Sequence, residues 1–451
     1  MVDIQLALRV LVKLRQLRRD EKWSRQQIEA YQAAQLHSLR RFTYAHSPFY
    51  QQFHHGYMEQ PLEKLPILTK AILMDNFDAL VTDKAVRLEA VQGYIARGHP
   101  EERFLDRFWV TATSGSSGHP GFFLFNKAEW IHVMASFARA QEWAGLGLNP
   151  LRQTKMATVA SPKSWHMSGQ VGATIRGSWM PEIQISASDP LPSIVERLND
   201  WQPEVLIAYA SMAFILAEEQ LGGRLHIAPQ FIFTSSEVLT AAARQRIEAV
   251  WGKRLFNEYV ATETASIAAE CEHHQGLHLF EDLLILEVVD ENNHAVPVGT
   301  YGAKLLVTVL FNRTQPLIRY ELTDSIVLMA ENCSCSLPFK LVQGVQGRTE
   351  ETLHLPAADG SLIAIQPLVF HRVMDMIRSG EWQIVYDTQG LTVLLSDIGQ
   401  NFSAVEVVKA IQKELGAQGV LMPEIRIQQV ANIPKSASGK TPLIRSLLPH
   451  A

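Results

Sequence analysis

The sequence predicts an α/β protein: a large mixed α/β unit followed by a small α+β unit over residues 347–451. Three observations lead there. Between about residues 105 and 345, short apolar runs alternate with amphipathic stretches. After residue 277 the strand-like runs crowd together with no helical pattern between them. Beyond residue 347 a new hairpin, helix and strand pattern begins.

Residues 1 to about 95 read as helical, with apolar spacing near 3.6 and punctuation at Pro61 and Pro66. Met1 to Asp20 alternates Leu and Val with Lys and Arg, which predicts an amphipathic surface helix rather than a signal peptide. Phe108–Ala112 reads as a buried strand, and further strands fall at Met156–Ala160, Val205–Tyr209, Phe231–Phe233 and Leu255–Phe256. Helical patterns between them cover Ser211–Leu221 and Thr240–Trp251. Leu283–Val289 and Lys304–Leu310 suggest an antiparallel sheet or barrel-like part closing the large unit. In the last segment, Trp382–Tyr386 and Leu391–Leu395 flank Gly390 as a hairpin, Ala404, Val408, Ile411 and Leu415 share a helical face, and Glu424–Val430 is a strand.

The chain has 451 residues, 47% of them apolar, enough for two or three domains with a sizeable core. Lys and Arg number 41 against 46 Asp and Glu, a net charge of −5, which gives no basic face for nucleic acid. No uncharged apolar run is long enough for a membrane span, and a reducing cytoplasm is the expected compartment. Three cysteines exclude a disulfide framework.

Thr113-Ser-Gly-Ser-Ser-Gly-His-Pro120 follows the first buried strand. Glycines allow close backbone approach, and free N–H groups with Ser and Thr hydroxyls can surround phosphate oxygens. The motif is not a P-loop, because His119 stands where that loop needs lysine. Gly439-Lys440-Thr441 is no P-loop either, since Pro434 occupies the position of its first glycine.

Further signals follow in order: Asn257-Glu-Tyr-Val-Ala-Thr-Glu263, Arg319-Tyr-Glu-Leu-Thr-Asp324, Gly347-Arg-Thr-Glu-Glu351 and Pro434-Lys-Ser-Ala-Ser-Gly-Lys440. This series resembles the adenylate-forming (AMP-binding) ligases, in particular the phenylacetate–CoA ligase and coenzyme F390 synthetase branch. Ser47-Pro-Phe-Tyr50 and Leu65-Pro-Ile-Leu-Thr-Lys70 resemble that branch too. The resemblance implies a large N-terminal AMP-binding domain over residues 1–346 and a mobile C-terminal lid over 347–451, with a hinge at Glu350 or Glu351. It implies ATP and Mg²⁺, a small carboxylic acid, and either CoA or a carrier-protein pantetheine as acceptor. A homodimer is common in the branch.

The same resemblance assigns residues, each with a chemical reason. Thr113, Ser114, Gly115, Ser116, Ser117 and Gly118 would hold the β- and γ-phosphates. Glu258 and Tyr259 would belong to the nucleotide site, with the Tyr259 ring stacked on adenine. Thr262 would bond the α-phosphate, and Glu263 would hold Mg²⁺, a cation that prefers hard oxygen ligands. Asp324 would accept from the ribose hydroxyls, with Arg348 assisting ribose or phosphate. Lys440 would stabilise charge growing on the α-phosphate during carboxylate attack. Trp165, His166, Tyr209, Ser235 and Ser236 are the implied acyl-pocket residues.

The sequence also departs from the family pattern. His119 replaces a common lysine, Val260 the glycine after the tyrosine, and glutamates the hinge aspartate, while Pro356-Ala-Ala-Asp-Gly360 replaces a glycine-centred turn. The resemblance therefore carries adenylation further than thiol transfer. Transfer of AMP to a hydroxyl, as in the F390 synthetases, and a non-catalytic nucleotide-binding homologue stand as alternatives.

Cys271, Cys333 and Cys335 are all the cysteines, and His273, His274 and His278 follow the first. Thiolate with imidazole is a zinc preference. By resemblance, Cys271, His278, Cys333 and Cys335 form a structural tetrahedral site. Three buried free thiols are the alternative on the sequence.

Overall fold

A computed structural model describes residues 4–97, 102–113, 120–147, 153–161, 165–175, 181–348, 353–357, 359–365, 367–374, 382–396, 402–431, 433–434 and 444–448. The strands are β1 (Trp109–Ala112), β2 (Phe122–Phe125), β3 (Met156–Ala160), β4 (Glu182–Ser186), β5 (Val205–Tyr209), β6 (Phe231–Ser235) and β7 (Leu255–Ala261). Then come β8 (Ala265–Glu270), β9 (Leu277–Leu279), β10 (Leu284–Val289), β11 (Lys304–Val309), β12 (Tyr320–Leu322), β13 (Asp324–Leu328) and β14 (Leu341–Arg348).

A nine-stranded sheet in the order β13-β14-β9-β8-β7-β6-β5-β3-β4 organises the large unit. Strands β3 to β7 pair in parallel through helical crossovers, as the alternating sequence pattern requires. The sheet then turns antiparallel through the β7–β8 and β8–β9 pairings. Ligands of open α/β sheets sit beyond the carboxyl ends of the parallel strands, and the β7–β8 turn lies at that end. Strands β10, β11 and β12 form a separate antiparallel sheet, which fits the expected crowding after residue 277.

Two buried anchors fasten the N-terminal helices and the long helix Lys127–Trp143 to this frame. The Tyr50 hydroxyl donates to the Pro316 carbonyl at 2.8 Å, so the Ser47–Tyr50 motif is a structural pin. Asn126 caps the helix Lys127–Trp143, and Glu129 closes the capping box. The buried Glu129 carboxylate also accepts from the Arg313 and Thr314 backbone N–H groups at 2.9 and 2.8 Å.

The C-terminal segment surrounds its own apolar core, which includes Leu355, Phe370, Ile384, Val393, Ile411 and Leu415. Its four-stranded sheet comprises β17 (Trp382–Asp387), β18 (Gly390–Leu395), β19 (Ile425–Gln429) and β20 (Ile444–Ser446), after the hairpin β15 (Leu353–Pro356) and β16 (Leu362–Ile365). Gly390 has φ +116, and a Cβ there would lie 2.3 Å from the Glu424 carbonyl oxygen, so the turn needs glycine. The helix Ala404–Ala417 buries Val407, Ile411 and Leu415. Ala404 is exposed and Val408 half-buried, so the expected stripe is rotated by about one residue.

Candidate active site and metal centre

Three of the motifs meet at one end of the large sheet. The strand expected at Leu255–Phe256 runs on to Ala261 and takes in most of the 257–263 motif. Asn257 to Ala261 lie within β7, and Thr262 and Glu263 form the turn into β8. The third motif likewise contains β12, and Asp324 opens β13. Gly347 and Arg348 end β14, whose register sets Arg348 opposite Asp324.

The Tyr259 hydroxyl donates to Asp324 Oδ2 at 2.6 Å, and both residues are buried. This bond joins residues 65 positions apart in the chain. A hydrogen bond to a charged acceptor is among the stronger neutral-donor contacts. It holds the tyrosine ring and the carboxylate in a fixed relation. The Tyr320 hydroxyl reaches Glu263 Oε1 at 3.5 Å, linking the β7–β8 turn to β12. Tyr320 is a site residue the sequence reading passed over, although it lies inside the quoted Arg319–Asp324 motif.

Strand β1 brings Thr113, the first residue of the serine-rich motif, to the same place. The Thr111 hydroxyl donates to the Thr262 carbonyl at 3.2 Å. Thr113 Oγ1 accepts from the Gly121 N–H at 2.8 Å, closing the base of the β1–β2 hairpin. Ser114, Gly115, Ser116, Ser117 and Gly118 lie outside the described residues, as do Glu350, Glu351 and Lys440. Leu68 exchanges backbone hydrogen bonds with Arg319 and Glu321, at 3.1 and 3.0 Å, so the Leu65–Lys70 motif braces the β12 segment. Ala265 and Arg319, both near the turn, have φ of 65° and 50°. Non-glycine residues in that region carry strain of the kind found at functional sites.

Glu258 and Tyr259 are neighbours on a strand and therefore face opposite sides of the sheet. Glu258 pairs in register with Ser235, which pairs with Tyr209. Burial alone pushes the Glu258 carboxyl up to about 8. The Tyr209 hydroxyl accepts from the Ser161 N–H at 2.9 Å, and the Trp165 carbonyl accepts from the Ala112 N–H at 2.9 Å. His166 is buried beside Trp165 in the chain, and Ser236 has φ 70° just past the end of β6.

At the other end of β8 the four residues named for a metal converge. The ligand atoms of Cys271, His278, Cys333 and Cys335 all lie within 4.8 Å of one another. Cys271 Sγ is 3.7 Å from Cys333 Sγ, and Cys335 Sγ is 3.3 Å from His278 Nε2. Zinc–sulfur bonds of about 2.3 Å at tetrahedral angles put two sulfurs about 3.8 Å apart, so the donor set fits zinc. The first separation is far from the roughly 2 Å of a disulfide.

The surroundings also suit a metal. His278 Nδ1 lies 3.4 Å from the Phe339 carbonyl, the outer contact that leaves Nε2 as the ligand. Burial pulls the His278 imidazole down to about 4, keeping it neutral. Burial, with the neighbouring Cys335 and Cys333, pushes the Cys271 thiol up to about 12. A bound cation reverses that preference and deprotonates the thiol. Trp143, Phe280 and Phe339 wall the cluster, and Trp143 meets the His278 ring edge-on at 5.7 Å. The Arg139–Asp282 pair is buried beneath this wall, with bonds of 2.6 and 2.8 Å. His273 and His274 turn elsewhere, to Ser334 and Glu270.

No family model matches the sequence. The chain is 26% identical over 417 residues to a phenylacetate–coenzyme A ligase of Thermus thermophilus, covering 86% of this chain and 87% of that one. It is 23% identical over 278 residues to protein CapK of Staphylococcus aureus, covering 60% and 55% of the two. Among solved structures, 2-hydroxyisobutyryl-CoA ligase in its postadenylation state superposes with a TM-score of 0.73 at 19% identity, covering 94% and 90% of the chains. The same ligase in its thioesterification state gives 0.60. The fold is that of the CoA ligase in these solved structures, and over most of its length the sequence is similar to a phenylacetate–CoA ligase.

Proposed function

We propose that this protein is an ATP-dependent acid–thiol ligase. It would activate a small carboxylic acid as an acyl-adenylate and pass the acyl group to a thiol, with CoA the acceptor. The observation that carries the reading is the buried Tyr259–Asp324 hydrogen bond, which sets a flat ring and a carboxylate side by side, as adenosine requires.

The acid's carboxylate attacks the α-phosphorus of ATP and pyrophosphate leaves. Tyr259 stacks on adenine, and Asp324 accepts from the ribose hydroxyls with Arg348 beside it. Thr113 to Gly118 hold the leaving phosphates, and Thr262 orients the α-phosphate. Glu263 would hold Mg²⁺, whose charge offsets that of the phosphates. The Lys440 ammonium stabilises charge growing in the transition state. A thiolate then attacks the acyl carbon and AMP leaves. Residues from 347 form the small domain that turns about Glu350 or Glu351 between the two steps. The better superposition on a postadenylation structure than on a thioesterification structure supports such a turn.

Strand alternation supports a place for Glu258 on the acyl side, with Trp165, His166, Tyr209, Ser235 and Ser236, rather than beside the nucleotide. The Cys and His cluster we read as structural zinc: four protein donors leave no open position for substrate.

The test is pyrophosphate exchange over a panel of carboxylic acids, with hydroxylamine to trap the adenylate. The reading requires exchange that depends on one class of acid and a matching hydroxamate. Folded protein with Mg²⁺ that exchanges with no acid contradicts it.

A further inference from the structure

Helix α1 (Ile4–Asp20) has an outward face that the enzyme does not use. Leu6, Leu14 and Leu17 are buried, and α1 packs on the helix Lys127–Trp143. The opposite face carries Ile4, Leu8, Leu11 and Val12, which are 69, 57, 42 and 65% exposed. Their spacing of i, i+4, i+7 and i+8 makes one apolar stripe. One turn further on, the same face carries Arg15 and Arg19, while Arg18 beside them is paired with Glu142 of the helix Lys127–Trp143. Every exposed charged residue of α1 is basic, and the helix's one acid, Asp20, is turned inward. The chain as a whole carries −5, so the helix reverses the prevailing charge.

We propose that α1 docks the protein on an anionic membrane surface, with its aliphatic side chains below the lipid headgroups and its arginines level with the phosphates. This chemistry is that of an interfacial amphipathic helix. Among the described residues no helix is long and apolar enough to cross a membrane, so α1 lies on the surface rather than spanning it.

A second copy of the chain fits this face less well. A helix of 17 residues is about 25 Å long. With a face about 10 Å wide it offers roughly 250 Å² per partner, against about 800 Å² in a standard interface. An antiparallel pair would set Arg15 and Arg19 against the partner's aliphatic stripe. A parallel pair would set arginines against arginines.

The experiment is flotation of the full chain with vesicles of phosphatidylcholine alone and of phosphatidylcholine with phosphatidylglycerol. The proposal requires binding to the anionic vesicles, release by salt, and weak binding to the neutral ones. L8E/L11E should abolish binding. R15Q/R19Q should weaken it roughly 30-fold, the loss expected for two interfacial basic residues. Melting temperature and acid-dependent exchange should stay unchanged in both, since neither pair lies in the site. Failure of the wild-type chain to bind anionic vesicles overturns the proposal, as does binding that neither pair alters. A dimer in lipid-free buffer that L8E/L11E converts to monomer also overturns it and gives the face to a second copy.

Discussion

The two ends of strand β8 present opposite kinds of chemistry. At its start, Thr262, Glu263, Tyr259 and Asp324 gather carboxylates and hydroxyls, two of them joined by the buried Tyr259–Asp324 bond. Just past its end, Cys271 joins His278, Cys333 and Cys335 in a set where every donor atom faces every other. The strand between them has six residues, roughly 20 Å of chain. The first cluster suits a polar substrate, because a carboxylate can accept several hydrogen bonds at once. The second suits an ion that stays, because its coordination is complete and its outer contacts are protein. Polar residues thus mark both places, and the difference lies in the chemistry of the groups: carboxylates and hydroxyls at one end, thiols and an imidazole at the other.

If the first end alone does chemistry, Lys440→Ala should lower acid-dependent pyrophosphate exchange by roughly 10²–10³, about 3–4 kcal/mol, with an unchanged melting curve. An exchange rate within a few-fold of wild type would remove the lysine from the mechanism. If the second end is structural, Cys271→Ser should reduce metal content measured by mass spectrometry from one zinc per chain to a trace. It should also cost stability, about 2.7 kcal/mol for a site held at a hundred times its Kd. Chelation of the wild-type protein should lower the melting temperature in the same way.

The comparison sharpens at Tyr259. Tyr259→Phe keeps the ring and deletes the hydroxyl that holds Asp324. Loss of a bond to a charged group costs about 1.5–2 kcal/mol, so KM for ATP should rise roughly 10- to 30-fold with metal content unaltered. Isothermal titration with ATP checks the binding part directly. The smallest effect belongs to Glu258. Burial holds its carboxyl at about 8 in the folded chain against an ordinary 4.5, so the folded state binds the extra proton. Stability therefore falls as pH rises through that window, by about 1 kcal/mol between pH 7 and 8. Glu258→Gln should flatten this slope in denaturant titrations at the two pH values.

Much of this was legible in the sequence because the motifs are local and ordered. The resemblance named Cys271, His278, Cys333 and Cys335 together, and Phe108–Ala112 read as the buried strand that β1 is. What was not legible depended on pairing across the fold. The Tyr259–Asp324 bond spans 65 residues, and no local pattern encodes it. The face of Glu258 depends on where β7 runs, and the sequence reading ended that strand at Phe256, before the acid. Tyr320 sits in a recognised motif, yet its contact with Glu263 needs β12 beside the β7–β8 turn. The Phe339 carbonyl that holds His278 is a backbone atom and leaves no residue-type signal. The rotated stripe of the helix Ala404–Ala417 has a similar cause, because Ala404 is small enough to face solvent and Val407 takes the inward place.

The polar end of β8 is proposed to make an acyl-adenylate whose acyl group then passes to a thiol. Mass spectrometry of a complete reaction, with ATP, Mg²⁺, CoA and the acid selected by exchange, tests this most directly. The predicted products are acyl-CoA, AMP and pyrophosphate in equal amounts. AMP retained on an acceptor hydroxyl, or ATP bound and never consumed, would contradict it.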